Sequence, residues 1–395
     1  MEYTQKDIEQ LYDKYVAHTY GRFPMTAVSG KGAVCRDLEG REYIDFTSGI
    51  GVNSLGFCDE KWQRAVAEQS GTLNHVSNLY YTLPGGLLAK ELCEKSGMSR
   101  VFFCNSGAEA NEGAIKAARA YSFKKYSAGR SRIISLINSF HGRTITTLAA
   151  TGQDQFHQTF FPFTEGFDYA SANDIDSVKA LVTDETCAVM MELVQGEGGV
   201  IALNESFVKA VRSLCDERDL LLIIDEVQTG VGRTGEFYSY QSYGVTPDVV
   251  SSAKGLAGGL PMGAVLLGEK TKDALGAGEH GSTFGANPVC CAAGLAVAER
   301  LDRGFLDEVK AKGKYFREKL LEMPNVASVS GLGMMIGVGL KKGAAKEIAN
   351  ACLAKGLLVL TAKDKVRLLP PLTIDYTDIN KGLDILQNVL EEAAK

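Results

Sequence analysis

The sequence predicts an α/β protein, with a mainly parallel sheet in a large domain followed by a smaller α+β domain. Three observations carry that expectation. From about residue 100, short apolar runs alternate with helical segments, the pattern of strands joined by crossover helices and covered on both faces. After about Arg303 that alternation gives way to a different texture. The chain of 395 residues also exceeds the usual size of a single domain.

The first of the apolar runs is VFFC (Val101 to Cys104), with a helix after it to about Lys125. RIISLI (Arg132 to Ile137) and CAVMMELV (Cys187 to Val194) follow, then a helix near Glu205 to Arg218 that sets Phe207, Val208, Val211, Leu214 and Cys215 on one face. LLIID (Leu221 to Asp225), DVVSS (Asp248 to Ser252) and GAVLLG (Gly263 to Gly268) complete the set, and ANPVCCAAGLAVAERL packs Cys290 and Cys291 in a Pro-started helix. Beyond Arg303, strand-like SVSGLGMMIGVGL precedes a short helix ending at Gly356, then VRLLP. A last helix lines up Ile379, Leu383, Leu386 and Leu390 after a Thr377 cap. The first 45 residues resemble neither part and are expected to lie against the small domain. The boundaries expected are therefore 1–45, 46–300 and 301–395.

At 45% hydrophobic and 23% charged, the chain has apolar material for a large core. Its net charge of −6 comes with no basic block, no RNA-binding aromatic signature and no zinc spacing, so nothing recruits nucleic acid or metal and the expected partners are small molecules. Nine cysteines form no CxxC pair and are odd in number, which suits reduced thiols in the cytoplasm. The start, MEYTQKDIEQLYDKY, is charged where a signal peptide needs an apolar run, and no stretch approaches membrane-spanning length.

The chemistry concentrates in two places. LLIIDEVQTG runs an apolar strand into Asp225, and SSAKGLAGG sets Lys254 among small residues on the next loop. A pyridoxal 5'-phosphate enzyme needs that pair. The cofactor is an electron sink while its ring nitrogen stays protonated, which a neighbouring carboxylate favours. Its aldehyde must be held by an amine that is nucleophilic at neutral pH, hence desolvated and with a lowered pKa. Each residue alone has a plainer reading, a turn cap for Asp225 and a solvated charge for Lys254.

Four further segments join them. VFFCNSGAEANE turns at Ser106 and Gly107 into a helix start, where free N–H groups can bind a phosphate, although a simple N-cap at Ser106 fits the same residues. INSFHGRT places Phe140, His141 and Arg143 at a strand's carboxyl end, the position at which open α/β sheets hold ligands. There Phe140 can stack on a ring and Arg143 can grip a carboxylate, against the usual fates of a core Phe and a surface Arg. Glu197 sits in a glycine-bracketed turn, and HGSTFGANP offers Ser282 and Thr283, which a linker would also do. Gly230, Gly232 and Gly235 match the dinucleotide-binding GxGxxG spacing. That fingerprint needs a long helix after it, and GEFYSYQSYGVTP lacks the pattern, so a nicotinamide oxidoreductase is the weaker reading.

VFFCNSGAEANE, FHGRT, QGEGG, DEVQTGVGRTG, AKGLAGG and HGSTFGANP together resemble, in order and spacing, the class III, ornithine-type aminotransferases of fold type I. The resemblance runs over nearly the whole chain and is greatest to members acting on N2-acetylornithine, with ornithine, succinylornithine and 4-aminobutyrate as the alternative donors. It implies a seven-stranded sheet and pyridoxal phosphate, with the Schiff base on Lys254, the ring nitrogen on Asp225, the ring hydroxyl at Gln228 and the ring face on Phe140. Ser106, Gly107 and Ala108 would bind the phosphate with Thr283 of a second subunit, making a homodimer with shared sites, and Ser282 would lie near the substrate. Arg143 would take the donor's carboxylate and Arg367 that of glutamate or 2-oxoglutarate, with Glu197 pairing Arg367 when only one carboxylate is present. Tyr20 matches a donor-contacting tyrosine by order. Two segments depart from the family pattern, GFCDEKW (Gly56 to Trp62), including Phe57, Cys58 and Asp59, and Leu193 after Glu192; both are expected to stand clear of the chemistry itself and to bear on loop shape near the pocket, and so on substrate preference.

Overall fold

The computed structural model describes residues 3–395. Its centre is a seven-stranded sheet in the order Arg100–Cys104, Gly263–Leu267, Val249–Ser252, Leu221–Asp225, Thr186–Met191, Arg132–Leu136 and Phe167–Ala170. Gly263–Leu267 runs antiparallel to both neighbours and every other recorded pairing in the sheet is parallel. The strands are near-continuous apolar runs because both faces are covered: all residues of Leu221–Asp225, Thr186–Met191, Val249–Ser252 and Gly263–Leu267 are buried.

The two-residue period of a strand sends alternate side chains into two separate cores. Leu221 and Ile223 join one, against Ala110, Ala114, Ala117 and Ala118 of the helix Gly107–Tyr126, whose small residues let it lie close. Leu222 and Ile224 join the other, against Val208, Val211 and Leu214 of the helix Glu205–Glu217. That helix buries the face its spacing predicted.

Phe167–Ala170 was not among the expected strands. Its sequence, FDYA, carries no apolar run, and as an edge strand it is only half-buried. CAVMMELV also breaks earlier than expected: the sheet strand ends at Met191, and Val194–Gln195 pairs antiparallel with Ile201–Ala202, closing a small hairpin around Glu197.

The C-terminal part holds a four-stranded antiparallel sheet in the order Val326–Leu332, Met335–Leu340, Lys365–Leu368, Leu360–Ala362. Strand-like SVSGLGMMIGVGL is therefore a hairpin that turns at Gly333 and Met334. The last helix, Tyr376–Ala394, buries Ile379, Leu383, Leu386 and Leu390 as its spacing requires. Its cap is Asp375, whose carboxylate accepts from the Asp378 N–H at 2.8 Å, and not Thr377, which lies inside the first turn. The N-terminal strands Ala27–Lys31, Val34–Asp37 and Glu42–Asp45 form a meander whose free side pairs in parallel with Leu357–Leu358.

Gly230, Gly232 and Gly235 lie in turns, followed by a helix of only four residues, Tyr240–Tyr243. A Cβ on Gly235 would sit 2.3 Å from Lys310 Cγ, and one on Gly232 would sit 3.1 Å from Leu372 Cδ1. Gly232 and Gly235 admit the C-terminal part of the chain, and Gly230 the Tyr238 ring, not a dinucleotide.

Candidate active site

The parallel register assembles the site. Asp225 is paired with Ser251, so the loop after Ser252 leaves the sheet beside the Asp225 carboxylate and carries Lys254 with it. The neighbouring strands end in the same direction and deliver Phe140 to Arg143 and the Glu197 hairpin. This is the carboxyl edge of the sheet, where the loops of an α/β fold converge.

Asp225 is 2% exposed. Its Oδ2 accepts from Asn111 Nδ2 and from His141 Nδ1, both at 2.7 Å, and its Oδ1 from the Val227 N–H at 2.9 Å. Asn111 also donates to the His141 carbonyl at 2.7 Å, tying the helix Gly107–Tyr126 to the Phe140 loop. Neither Asn111 nor His141 was assigned a role from sequence. The available signal was a polar residue on the buried, alanine-rich face of a helix.

Lys254 stands in a short 3-10 turn, Lys254–Ala257, with φ of 49°, in the left-handed region. For a residue with a Cβ this costs about 1–3 kcal/mol and is held by its surroundings. The side chain is partly buried. Burial lowers its amine below the usual lysine range; Glu197 opposes that shift and Arg367 reinforces it. Trp62 Nε1 donates to the Ala257 carbonyl at 3.0 Å at the end of the same turn. The Gly56 to Trp62 segment thus meets the backbone of the Lys254 turn through Trp62, where it bears on loop shape, while Leu193 is buried in the core.

Arg367 is 3% exposed and reaches across from the C-terminal sheet. Its Nη1 donates to Glu197 at 2.5 Å and to Gln228 Oε1 at 3.2 Å. Burial alone would raise the Glu197 carboxyl, but Arg367, helped by Lys254 and Gln228, outweighs this and holds it below its ordinary range. Gly196 permits the arrangement, since a Cβ there would fall 2.5 Å from Gln228 Oε1. Glu192, another residue without a role assigned from sequence, accepts from the Phe140 N–H at 2.8 Å and the Gly196 N–H at 3.2 Å, bracing both loops. Burial raises its carboxyl well above the usual range against the opposing pull of His141, and Asp225 adds to the rise.

Tyr20, Phe140, Arg143, Glu197 and Lys254 line one cavity of about 620 Å³. Arg143 lies 5.4 Å from the Phe140 ring centroid and 4.3 Å from that of Phe156. Tyr20 is 75% exposed at its edge. Ser106, Gly107 and Ala108 open the helix Gly107–Tyr126. The Ser106 hydroxyl accepts from the Glu109 N–H at 3.2 Å, so the N-cap reading of Ser106 holds in this chain. A Cβ on Gly107 would meet Val227 Cγ1 at 2.6 Å. Ser282 and Thr283 are not brought to the cavity: Ser282 Oγ accepts from Asn105 and from the Gly285 N–H, and Thr283 is exposed.

The donor set fits pyridoxal phosphate. A buried carboxylate held by three donors shares the carboxyl edge of the sheet with a partly buried lysine whose pKa burial lowers, and Asn111 Oδ1, His141 Nε2 and Arg367 Nε are buried polar atoms with no partner among the described residues.

Comparison with known proteins agrees. The family described as "Aminotransferase class-III" matches residues 15–390. The acetylornithine aminotransferase of Haemophilus ducreyi is 53% identical over 98% of this chain and 100% of its own length, and that of Methanocaldococcus jannaschii 46% over 99% and 100%. Among solved structures, the ornithine aminotransferase of Toxoplasma gondii superposes with a TM-score of 0.94 at 29% identity, covering 99% of this chain and 96% of that one. The N-acetylornithine aminotransferase of Stenotrophomonas maltophilia does so with a TM-score of 0.83 at 34% identity, covering 97% and 98%. With a matching family over almost all of its length and relatives above 40% identity, this chain belongs to the class-III aminotransferases.

Proposed function

We propose that this aminotransferase moves the terminal amino group of N2-acetyl-L-ornithine to 2-oxoglutarate, giving N-acetyl-L-glutamate 5-semialdehyde and L-glutamate, a step of arginine biosynthesis carried out in the cytoplasm. The observation that carries the reading is the Glu197–Arg367 pair in the wall that also holds Lys254 and Arg143. A guanidinium does not lose its charge. A pocket that serves donors with one carboxylate and acceptors with two therefore needs a counter-ion that can leave.

Pyridoxal phosphate, when bound, supplies the electron sink for the amino-bearing carbon. Lys254 would hold its aldehyde carbon, Asp225 its ring nitrogen, Gln228 its ring hydroxyl and Phe140 its ring face. Ser106, Gly107 and Ala108 would hold its phosphate together with Thr283 of a second subunit. With the donor's amine in place, the Lys254 Nζ would act as the general base that takes the proton from the donor's amino-bearing carbon and as the general acid that gives it back. Arg143 holds the donor's carboxylate, with Ser282 and Tyr20 close to the donor's polar end. Arg367 stays paired with Glu197 in that half-reaction and releases it when glutamate or 2-oxoglutarate brings a second carboxylate.

The dimer has its own support. Leu79, Tyr80, Tyr81, Leu83 and Phe284 are 87%, 68%, 107%, 74% and 62% exposed, an apolar patch contiguous with Thr283. Asn78 donates to the Gly285 carbonyl at 2.8 Å and holds the two loops together. A second copy covering this patch brings Thr283 to the other site.

A donor panel tests the reading, with glutamate formed from 2-oxoglutarate as the readout. N2-acetylornithine is expected to give the highest kcat/KM; a preference for ornithine, succinylornithine or 4-aminobutyrate overturns the assignment of the donor.

A further inference from the structure

The wall around Arg143 has a charge pattern that bears on how the donor's α-nitrogen is read. Among the described residues lining the cavity, Glu197 is the sole carboxylate, and Arg367 already engages it. The same lining carries Lys363, whose amine bonds the Asn138 side chain, as a second cation beside Arg143. The α-nitrogen of any amino acid is attached to the carbon that bears its carboxylate. A donor whose carboxylate rests on Arg143 must therefore leave its α-nitrogen in this neighbourhood. As a free ammonium it would meet these two cations, with no carboxylate in this cavity's lining other than the engaged Glu197.

An acylated nitrogen is neutral and presents an amide N–H and C=O. The turn at Asp154–Phe156 offers a matching amide with a fixed direction. Gln153, 8% exposed, donates its Nε2 to the Ser139 carbonyl at 2.9 Å, which forces its Oε1 to the other side. Gln155 meets that oxygen with its own Nε2 at 3.1 Å. Its Oε1 and second N–H are thereby oriented, an acceptor and a donor on an exposed side chain next to Phe156, the ring on which Arg143 rests.

We infer that Gln155, oriented by Gln153, is the specificity-determining residue that recognises the acylated α-nitrogen, so that the site selects N2-acyl ω-amino acids over free ones. This rests on the proposed placement of the donor's carboxylate at Arg143. The test uses the holoenzyme with Gln155→Leu and Gln155→Glu. The leucine variant is expected to lose about tenfold in kcat/KM for N2-acetylornithine, the size of one good hydrogen bond, mainly through KM. Its kcat/KM for ornithine and its half-reaction with glutamate should stay unchanged. The glutamate variant, which supplies the missing anion, should raise kcat/KM for ornithine. Calorimetric binding of N-acetyl-L-norvaline, which lacks the terminal amine and cannot turn over, should weaken in the leucine variant by the same factor as KM. An unchanged ratio between the two donors, or an equal loss for both, overturns the role of Gln155. Wild-type enzyme that prefers ornithine overturns the donor reading itself, before any variant is compared.

Discussion

His141 Nδ1 lies 2.7 Å from the Asp225 carboxylate, on the same oxygen that accepts from Asn111. Both donors are buried, and the Val227 N–H fixes the other oxygen. The carboxylate is thus fixed in one orientation by the protein's own donors. Asp225→Asn keeps the shape and removes the charge, and is expected to lower kcat by about 10²–10³-fold, the scale of a lost preorganised electrostatic contact. Steady-state rates at saturating cofactor check this; a loss below tenfold would mean that Asp225 serves only as a turn cap.

Lys254→Ala removes the nitrogen on which the proposed chemistry depends. Turnover is expected to vanish, and borohydride treatment of the variant after incubation with pyridoxal phosphate should fix no label at this position, as read by mass spectrometry of the digested protein. Retained turnover at a comparable rate would refute the assignment.

Removing Glu197 leaves Arg367 buried without its carboxylate partner. Glu197→Ala should therefore favour glutamate over N2-acetylornithine as amino donor, raising the ratio of their kcat/KM values by about tenfold or more, since a buried charge-assisted hydrogen bond is worth about 1.5–3 kcal/mol. An unaltered ratio removes the gating role.

Glu226 is buried under three donors: the Thr229 and Ser239 hydroxyls, both at 2.6 Å, and the Tyr240 N–H at 3.0 Å. Burial pushes its carboxyl up to about 7 in spite of them. A folded-state value above the unfolded one near 4.5 means that the unfolded chain gives up its proton first as pH rises. The stabilising contribution is complete below that lower value and is lost as pH climbs through about 7. Thermal stability should accordingly fall between mildly acidic and mildly alkaline pH, and Glu226→Gln should flatten that slope. A variant with the wild-type pH dependence of Tm would show that Glu226 does not titrate in this window.

Gly382 in the last helix faces the ring of Phe46, and a Cβ there would lie 2.2 Å from Phe46 Cζ. The ring is fully buried and packs edge-on to Phe316 at 5.2 Å, so it has little room to retreat. Gly382→Ala, normally favourable in a helix, should here destabilise the protein by about 1–3 kcal/mol, measured by denaturant unfolding. A rise in stability would show that the ring can move.

The residues of the proposed site that local pattern placed were those that follow a strand's apolar run. Asp225, Lys254, Phe140 and Arg143 sit in such places, and the register of a parallel sheet gathers them without further information. Arg367 and Glu197 needed the resemblance to a family, because their pairing joins parts of the chain that local pattern does not connect. Asn111, Glu192 and the Gln153–Gln155 pair stayed invisible because each acts through contacts made by distant elements. Phe167–Ala170 was missed because an edge strand is under no pressure to be apolar. The displaced cap reflects two cap-competent residues, Asp375 and Thr377, standing two positions apart.

The pairing of Ile44 with Leu357 has a consequence for how the chain comes into being. The N-terminal meander leaves the ribosome roughly 300 residues ahead of the strand that completes it, an interval of roughly 15–60 s at ordinary synthesis rates. Throughout that time its open side offers unpaired backbone groups to any passing strand. The meander's open side therefore closes only when a strand made late, Leu357–Leu358, comes to lie along Glu42–Asp45.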